Sequence, residues 1–124
     1  INSMPVKKIT NLIQRRIFNT LKYSLEGFLF AWRSEEAIRI ECCLMPLVVV
    51  GAIYLGQSKV DQILMISSGL LVIMIELLNT AIEKTIDRIS IDQHPLSKVV
   101  KDVGSGAVLL AMINFVFVWL VLLF

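Results

Sequence analysis

Cysteine and histidine are scarce in this sequence. The two cysteines, Cys42 and Cys43, are adjacent within an apolar run, and His94 is the single histidine. Because neither a CxxC spacing nor a segment rich in both residue types is present, the sequence implies no disulfide framework and no zinc site. We interpret both cysteines as small apolar residues of a membrane helix.

Common nucleotide-binding motifs are also missing. The 124 residues contain no GxxxxGK[ST] loop and no protein-kinase signature set, so a nucleotide site cannot be inferred from a glycine-rich phosphate loop. The formal net charge of +2 is too small to indicate a nucleic-acid partner. We therefore expect no nucleic acid among the partners.

Apolar residues, by contrast, are abundant. They make up 56% of the chain, and the mean hydropathy of +0.77 is too high for an ordinary soluble protein. The length corresponds to one domain, so we expect residues 1–124 to form a single integral-membrane domain. No cleavable apolar region directly follows Ile1-Asn-Ser, and we expect these three residues to be a cloning scar before a natural start at Met4.

The hydropathy pattern divides the chain into one amphipathic segment and three spans. Residues 6–30 place apolar side chains at helical spacing with lysines and arginines between them, which is typical of an interfacial helix. Apolar runs predict spans over residues 34–55, 62–87 and 98–124. The expected fold class is an all-α membrane protein with an N-terminal amphipathic surface helix and three transmembrane helices.

Basic residues predict the orientation of these spans. They crowd the N-terminal arm and the connection between the second and third spans, whereas the first loop has only Lys59. By the positive-inside rule we expect a cytoplasmic N-terminus and a periplasmic C-terminus. The polar ends of the three spans then meet at the cytoplasmic interface, where nucleotide and lipid could both arrive.

Polar side chains interrupt the second span on one face. On a helical wheel with about 100° per residue, four of them share an arc of about 80°. They are Glu76, Asn79, Glu83 and Asp87. At about 1.5 Å per residue, residues 63–87 cover about 37 Å, which crosses a bilayer core of about 30 Å and places Glu76 near mid-depth.

This acidic face is costly in a bilayer. An ionised group facing lipid costs roughly 2.5–3.5 kcal/mol, whereas an apolar residue returns only about 0.3–0.6 kcal/mol. We therefore expect the face to turn toward protein, water or a cation, and oligomerisation would shield it. The residues alone leave three uses open: a divalent-cation site, a proton relay or a base. For Asp87, which precedes Arg88, a simple ion pair at the membrane edge is an equal alternative.

Several segments carry a family resemblance. They are Glu76-Leu-Leu-Asn-Thr-Ala-Ile-Glu-Lys-Thr-Ile-Asp87, His94-Pro-Leu-Ser, Lys101-Asp-Val-Gly-Ser-Gly-Ala-Val-Leu-Leu110 and, upstream, Ala31-Trp-Arg-Ser-Glu-Glu-Ala-Ile-Arg-Ile-Glu41. Together they resemble the bacterial diacylglycerol kinase family of very small integral-membrane lipid kinases, almost to the last residue. The resemblance implies ATP-dependent phosphorylation of diacylglycerol to phosphatidic acid at the inner membrane by a homotrimer, with active sites between subunits.

The resemblance also implies roles for particular residues. Glu76 would be the base that accepts the proton of the lipid hydroxyl, and Asn79 would position neighbouring groups. Glu35 and Glu83 would hold the Mg²⁺ that accompanies ATP. The implied nucleotide contacts are Arg16, Tyr23, Glu35, Glu83, Asp92, Gln93, His94, Lys101 and Asp102. The implied lipid contacts are Glu76, Ser105 and Trp119, and Trp119 also suits the aromatic belt of the outer interface.

Two other functions compete with this interpretation. An undecaprenol kinase would use the same chemistry, because both acceptors are membrane alcohols. A non-enzymatic proton or cation pathway through Glu76 and Glu83 is an alternative of another class. That pathway leaves Lys101, Asp102 and the interfacial arm without a function.

Overall fold

The computed structural model describes residues 5–124 as four helices joined by short connections. These are α1 (Val6–Ser34), α2 (Glu36–Leu55), α3 (Lys59–Ile89) and α4 (Pro95–Leu123). The expected all-α class is confirmed. Met4 and the three residues before it, for which we expected a natural start after a cloning scar, lie outside the described residues.

The N-terminal helix forms a compact unit of its own, and the other three helices form a second unit that begins at Glu35. α1 is 29 residues long and runs without interruption through Gly27. It continues to Ser34, beyond residue 30, where the apolar pattern ends. The hydroxyl of Thr20 donates to the Arg16 carbonyl oxygen at 2.8 Å, which satisfies a polar side chain within the helix itself.

Each helix of the second unit is long and apolar enough to cross a membrane. α2 has 20 residues and continues through Pro46, which lies inside it. α3 has 31 residues, so it is about 46 Å long and exceeds a bilayer core of about 30 Å. One end of α3 therefore extends into the interfacial region, and its sequence places the charged residues there.

The central helix of this unit is α3, which packs against both α2 and α4. The buried apolar side chains belong to all three helices: Ile38, Ala52, Met65, Val72, Ile73, Val108 and Ala111. Most other large apolar side chains of the spans remain exposed in the single chain, as expected for surfaces that face lipid or a second subunit. The core is therefore a narrow seam along α3.

Polar groups close the short connection between α2 and α3. The Ser58 hydroxyl caps α3 by accepting a hydrogen bond from the backbone N–H of Asp61 at 3.1 Å, which satisfies one of the free donors at a helix start. The Gln62 amide reaches back across the loop and donates to the carbonyl oxygens of Ile53 at 3.3 Å and Gly56 at 3.4 Å. These bonds fix α2 against α3 at this end.

Trp119 holds the same end of the bundle together. Its indole N–H donates to the backbone carbonyl of Met65 at 3.2 Å, and its ring lies 5.5 Å from that of Phe115. A Cβ placed on Gly51 would lie 3.0 Å from the indole, so α2 also packs closely against it. The structure thus packs Trp119 among three helices, and its place in the outer aromatic belt stays a prediction.

Candidate active site

The acidic face of α3 turns partly inward, as its helical spacing predicts. Glu76, Asn79 and Glu83 are all half-buried. The Asn79 amide nitrogen donates to Glu83 Oε1 at 3.3 Å, and Glu76 interacts electrostatically with both Glu83 and Glu35. An amide and several carboxylates are therefore gathered within one helix-lined region.

Glu35 reaches this region from the start of α2. It is the N-cap residue, with extended backbone angles (φ −120°, ψ 114°), and its side chain makes no capping hydrogen bond. One carboxylate oxygen instead lies 3.9 Å from the ammonium of Lys84 on α3. The positive end of the α2 dipole favours a carboxylate at this position. Glu35 and the α3 carboxylates thus meet within a single chain.

Glu41 is a member of this cluster that sequence reasoning missed. Its Oε2 atom is buried and accepts no hydrogen bond from the described residues, and its carboxylate interacts electrostatically with Glu76. On a helical wheel that starts at Glu35, Glu41 falls about 120° away, on the far side of the helix. That comparison failed because Glu35 is extended and precedes the helix. Glu41 follows Ile38 by three residues, a spacing that places both side chains on one face of α2. Because Ile38 is an apolar residue that is buried, this spacing could have indicated that Glu41 also points inward.

A lysine of α4 contacts the acidic face near the C-terminal end of α3. Lys101 Nζ donates to Asp87 Oδ1 at 2.9 Å and also interacts electrostatically with Glu83. The edge pair considered for Asp87 therefore forms with α4, not with Arg88, which is adjacent in sequence and points elsewhere on the helix. Asp102 pairs with Lys98 at 2.5 Å on the exposed side of α4.

A groove lies beside these ion pairs, between the end of α3 and the start of α4. Its volume is about 640 Å³. It contains five of the residues that the resemblance implied for the nucleotide: Asp92, Gln93, His94, Lys101 and Asp102. The loop after α3 and the first two turns of α4 thus bring together residues up to ten positions apart in the sequence.

His94 shapes one wall of this groove as the N-cap of α4. Its Nδ1 atom accepts a hydrogen bond from the backbone N–H of Leu96 at 3.1 Å, and Pro95 occupies the start of the helix. Proline suits that position because the first helical N–H has no partner within the helix. The other ring nitrogen, Nε2, is not used by the cap.

The remaining predicted contacts belong to α1 and to later turns of α4. Arg16 and Tyr23 lie on α1, in the other compact unit. Ser105 is exposed on α4, and Trp119 lies about 25 Å along that helix from Asp102. Trp119 is therefore well separated along α4 from the residues of the groove, and its contact with lipid stays a prediction.

The carboxylates suit a Mg²⁺ ion that substrate and water help to bind. Within residues 5–124 no three side chains of His, Cys, Asp or Glu converge as they would in a site built from protein ligands alone. Mg²⁺ is usually bound by one or two carboxylates and completed by waters and substrate phosphates. The hard oxygens of Glu35 and Glu83, beside a groove with cations for phosphate, fit that second pattern.

Comparison with known proteins identifies the family. The model of the prokaryotic diacylglycerol kinase family matches residues 22–123. The chain belongs to the prokaryotic diacylglycerol kinase family. The matched range includes the whole acidic cluster and the groove, together with Tyr23, while Arg16 lies before it. Membership of this family confirms the resemblance and the enzyme class that it implied.

Curated diacylglycerol kinases match over most of their own length. The chain is 44% identical to that of Haemophilus influenzae over 103 residues, which cover 83% of this chain and 87% of that protein. It is 43% identical to that of Pseudomonas aeruginosa over 119 residues, 96% of this chain and 95% of that protein. With that of Escherichia coli K12 the identity is 44% over 108 residues, 87% of this chain and 88% of that protein.

Proposed function

We propose that this family member transfers the γ-phosphoryl group of ATP to the primary hydroxyl of diacylglycerol and releases phosphatidic acid and ADP. The observation that carries this proposal is the position of Glu76. It is half-buried on a membrane-spanning helix, within an acidic cluster that adjoins a polar groove. A lipid alcohol in the membrane and a soluble nucleotide in the groove can both approach that place.

Glu76 is the proposed general base. Its carboxylate takes the proton of the lipid hydroxyl as the hydroxyl oxygen bonds to the γ-phosphorus, while the bond between that phosphorus and the leaving oxygen of ADP breaks. The proton then passes from Glu76 to water. Asn79, between Glu76 and Glu83 on the same face, keeps Glu83 in place through its hydrogen bond.

The groove is the proposed nucleotide site. Lys101 now pairs with Asp87, and in the complex we expect its ammonium to turn to a phosphate oxygen, because phosphoryl transfer needs cations at the developing negative charge. Asp92, Gln93, His94 and Asp102 would complete the contacts from the groove walls. Arg16 and Tyr23 would contribute from α1.

Glu35 and Glu83 are the proposed holders of the Mg²⁺ that accompanies ATP. The bound ion would neutralise charge on the phosphates and orient them. Glu35 has the freedom for this task, since its carboxylate makes no capping bond and lies 3.9 Å from Lys84. Oxygen ligands from the phosphates and water would fill the remaining positions.

The proposed assembly is a homotrimer in the bacterial inner membrane, with the N-terminus cytoplasmic and the C-terminus periplasmic. Basic residues at the charged end of the bundle support this orientation. The exposed apolar faces support association: in the most apolar stretch of α2 and of α4, just 11% of residues are buried within the chain, against 33% in α3. A partner subunit would shield the acidic helix where these faces leave it open.

Turnover on purified protein tests the proposal. The protein, in detergent micelles or vesicles, would receive MgATP with diacylglycerol, with undecaprenol or with no lipid, and lipid phosphate would be measured. We expect phosphatidic acid to form fastest. Preferential phosphorylation of undecaprenol would reassign the substrate, and no phosphorylation of either lipid, with cation or proton flux across sealed vesicles, would replace the kinase by the pathway alternative.

A further inference from the structure

The helices α3 and α4 pack closely against one another at Gly104. This residue is buried on α4, and a Cβ placed on it would collide with the amide oxygen of Asn79 on α3. The obstacle is the side-chain amide of Asn79, which is a predicted site residue. Any side chain at position 104 must therefore displace Asn79.

The Asn79 amide has one defined orientation in this contact. Its nitrogen donates to Glu83 Oε1 at 3.3 Å, and its buried oxygen accepts no hydrogen bond from the described residues. A Cβ on residue 104 would occupy the place of that oxygen. Glycine thus leaves the space that the amide oxygen fills, while the amide nitrogen is directed at Glu83.

We propose that Gly104 is a positioning residue for the Mg²⁺-ATP site. By admitting the Asn79 amide into the contact between α3 and α4, it keeps Nδ2 on Glu83 and fixes that carboxylate for the metal. The inference rests on the proposed function, in which Glu83 holds the ion. Loss of an outer group that orients a metal ligand commonly lowers metal affinity or activity by about 10–100-fold.

A second glycine on the same helix provides a matched control. Gly106 lies two residues further along α4, and a Cβ placed on it would meet nothing within 4 Å. Gly104→Ala and Gly106→Ala add the same methyl group to the same helix. They differ in whether that methyl group meets Asn79.

The first experiment compares both variants with the unchanged chain in the same lipid mixture. We expect Gly104→Ala to raise the MgATP concentration for half-maximal rate, and the Mg²⁺ requirement, by about 10–100-fold. Excess Mg²⁺ should restore part of the rate. Gly106→Ala should keep both values within about twofold, since its methyl group meets no neighbour. Equal values for the two variants would overturn the inference.

A double-variant cycle tests the path through Asn79. In Asn79→Ala the obstructing amide is gone, so adding Gly104→Ala should cause no further loss of MgATP use and no further fall in the thermal unfolding midpoint. If Gly104→Ala does not fold alone, the double variant should fold as Asn79→Ala does. A double variant with the full additive loss, or one that does not fold, would overturn the inference.

The two proposals fail in different ways. If the unchanged chain phosphorylates no lipid, the proposed function is wrong, while the unfolding midpoints of the four proteins in the cycle still report whether Gly104 acts on Asn79. If the unchanged chain is active and Gly104→Ala behaves as Gly106→Ala does, the kinase assignment stands. The positioning role of Gly104 is then wrong.

Discussion

At the scale of single residues, the candidate site combines several carboxylates with the amide of Asn79 and the ammonium groups of Lys84 and Lys101. Glu76 interacts with Glu83 and Glu35, and Glu41 interacts with Glu76. Such a concentration of like charge on membrane helices is costly unless a cation or a reaction uses it. The different geometry of each carboxylate lets their roles be separated by substitution.

Glu76→Gln should abolish turnover without preventing assembly or nucleotide binding. Glutamine keeps the volume of the side chain but cannot take the lipid proton, and a lost general base costs roughly 10²–10⁴-fold in rate. Initial rates with saturating MgATP and diacylglycerol measure this loss. Glu36→Gln is the matched control, since Glu36 is exposed in the first turn of α2. Near-normal turnover of Glu76→Gln would remove it from the mechanism.

Glu35→Gln and Glu83→Gln should weaken the use of Mg²⁺ and MgATP. Each substitution removes one carboxylate from a shared ion that has few protein ligands. We expect the activity of both variants to recover in part as Mg²⁺ is raised, whereas Glu76→Gln should not recover. Titration of the rate against Mg²⁺ distinguishes these classes, and an unchanged Mg²⁺ dependence in both variants would place the metal elsewhere.

At the scale of secondary structure, the start of α4 sets the position of the groove. His94 caps this helix through Nδ1, and the next turns carry Lys98, Lys101 and Asp102. The cap therefore determines where α4 begins. Lys101 in these turns donates to Asp87 on α3.

Two substitutions of His94 separate its helix-capping hydrogen bond from any contact of its ring with nucleotide. Asparagine retains a side-chain acceptor, so His94→Asn should unfold at the same point as the unchanged chain, while His94→Ala should lose about 1 kcal/mol of stability. Reversible unfolding in mixed micelles measures the difference. If the ring also contacts nucleotide, both variants should need more ATP for half-maximal rate. Equal stability of the two variants would show that the cap contributes nothing.

At the scale of the whole molecule, one chain already brings Glu35 to Glu76 and Lys84. The expectation that sites lie between subunits had allowed Glu35 and Glu76 to come from different protomers. That expectation stays a prediction, and within one chain Glu35 already interacts electrostatically with Glu76. In the proposed trimer, partner subunits would shield the exposed faces of α2 and α4.

Co-assembly of two inactive chains tests whether the active site is shared between subunits. Glu35→Gln and Glu76→Gln subunits would be dissociated, mixed and reassembled together, with mixed trimers confirmed by two affinity tags. We expect activity to recover, since some interface in a mixed trimer combines an intact Glu35 with an intact Glu76 and Glu83. Activity that stays at the level of the separate variants, with co-assembly confirmed, would show that the site lies within one chain.

The sequence by itself determined the helices and the acidic face. Hydropathy over about 20 residues predicts a span because the bilayer core has a fixed thickness. The helical period alone places Glu76, Asn79 and Glu83 on one face of α3. Both signals are local, so they survive without knowledge of the neighbouring helices. The resemblance supplied the grouping of His94 with Lys101 and Asp102, and the groove brings these residues together.

The tertiary structure decided which residues meet between helices. The inward position of Glu41, the pair of Asp87 with Lys101 and the contact of Gly104 with Asn79 all depend on the rotation and axial register of one helix against the next. Hydropathy is averaged over a segment and is insensitive to shifts of one or two residues. Contacts between helices change completely with such shifts, because one residue turns a side chain by about 100°.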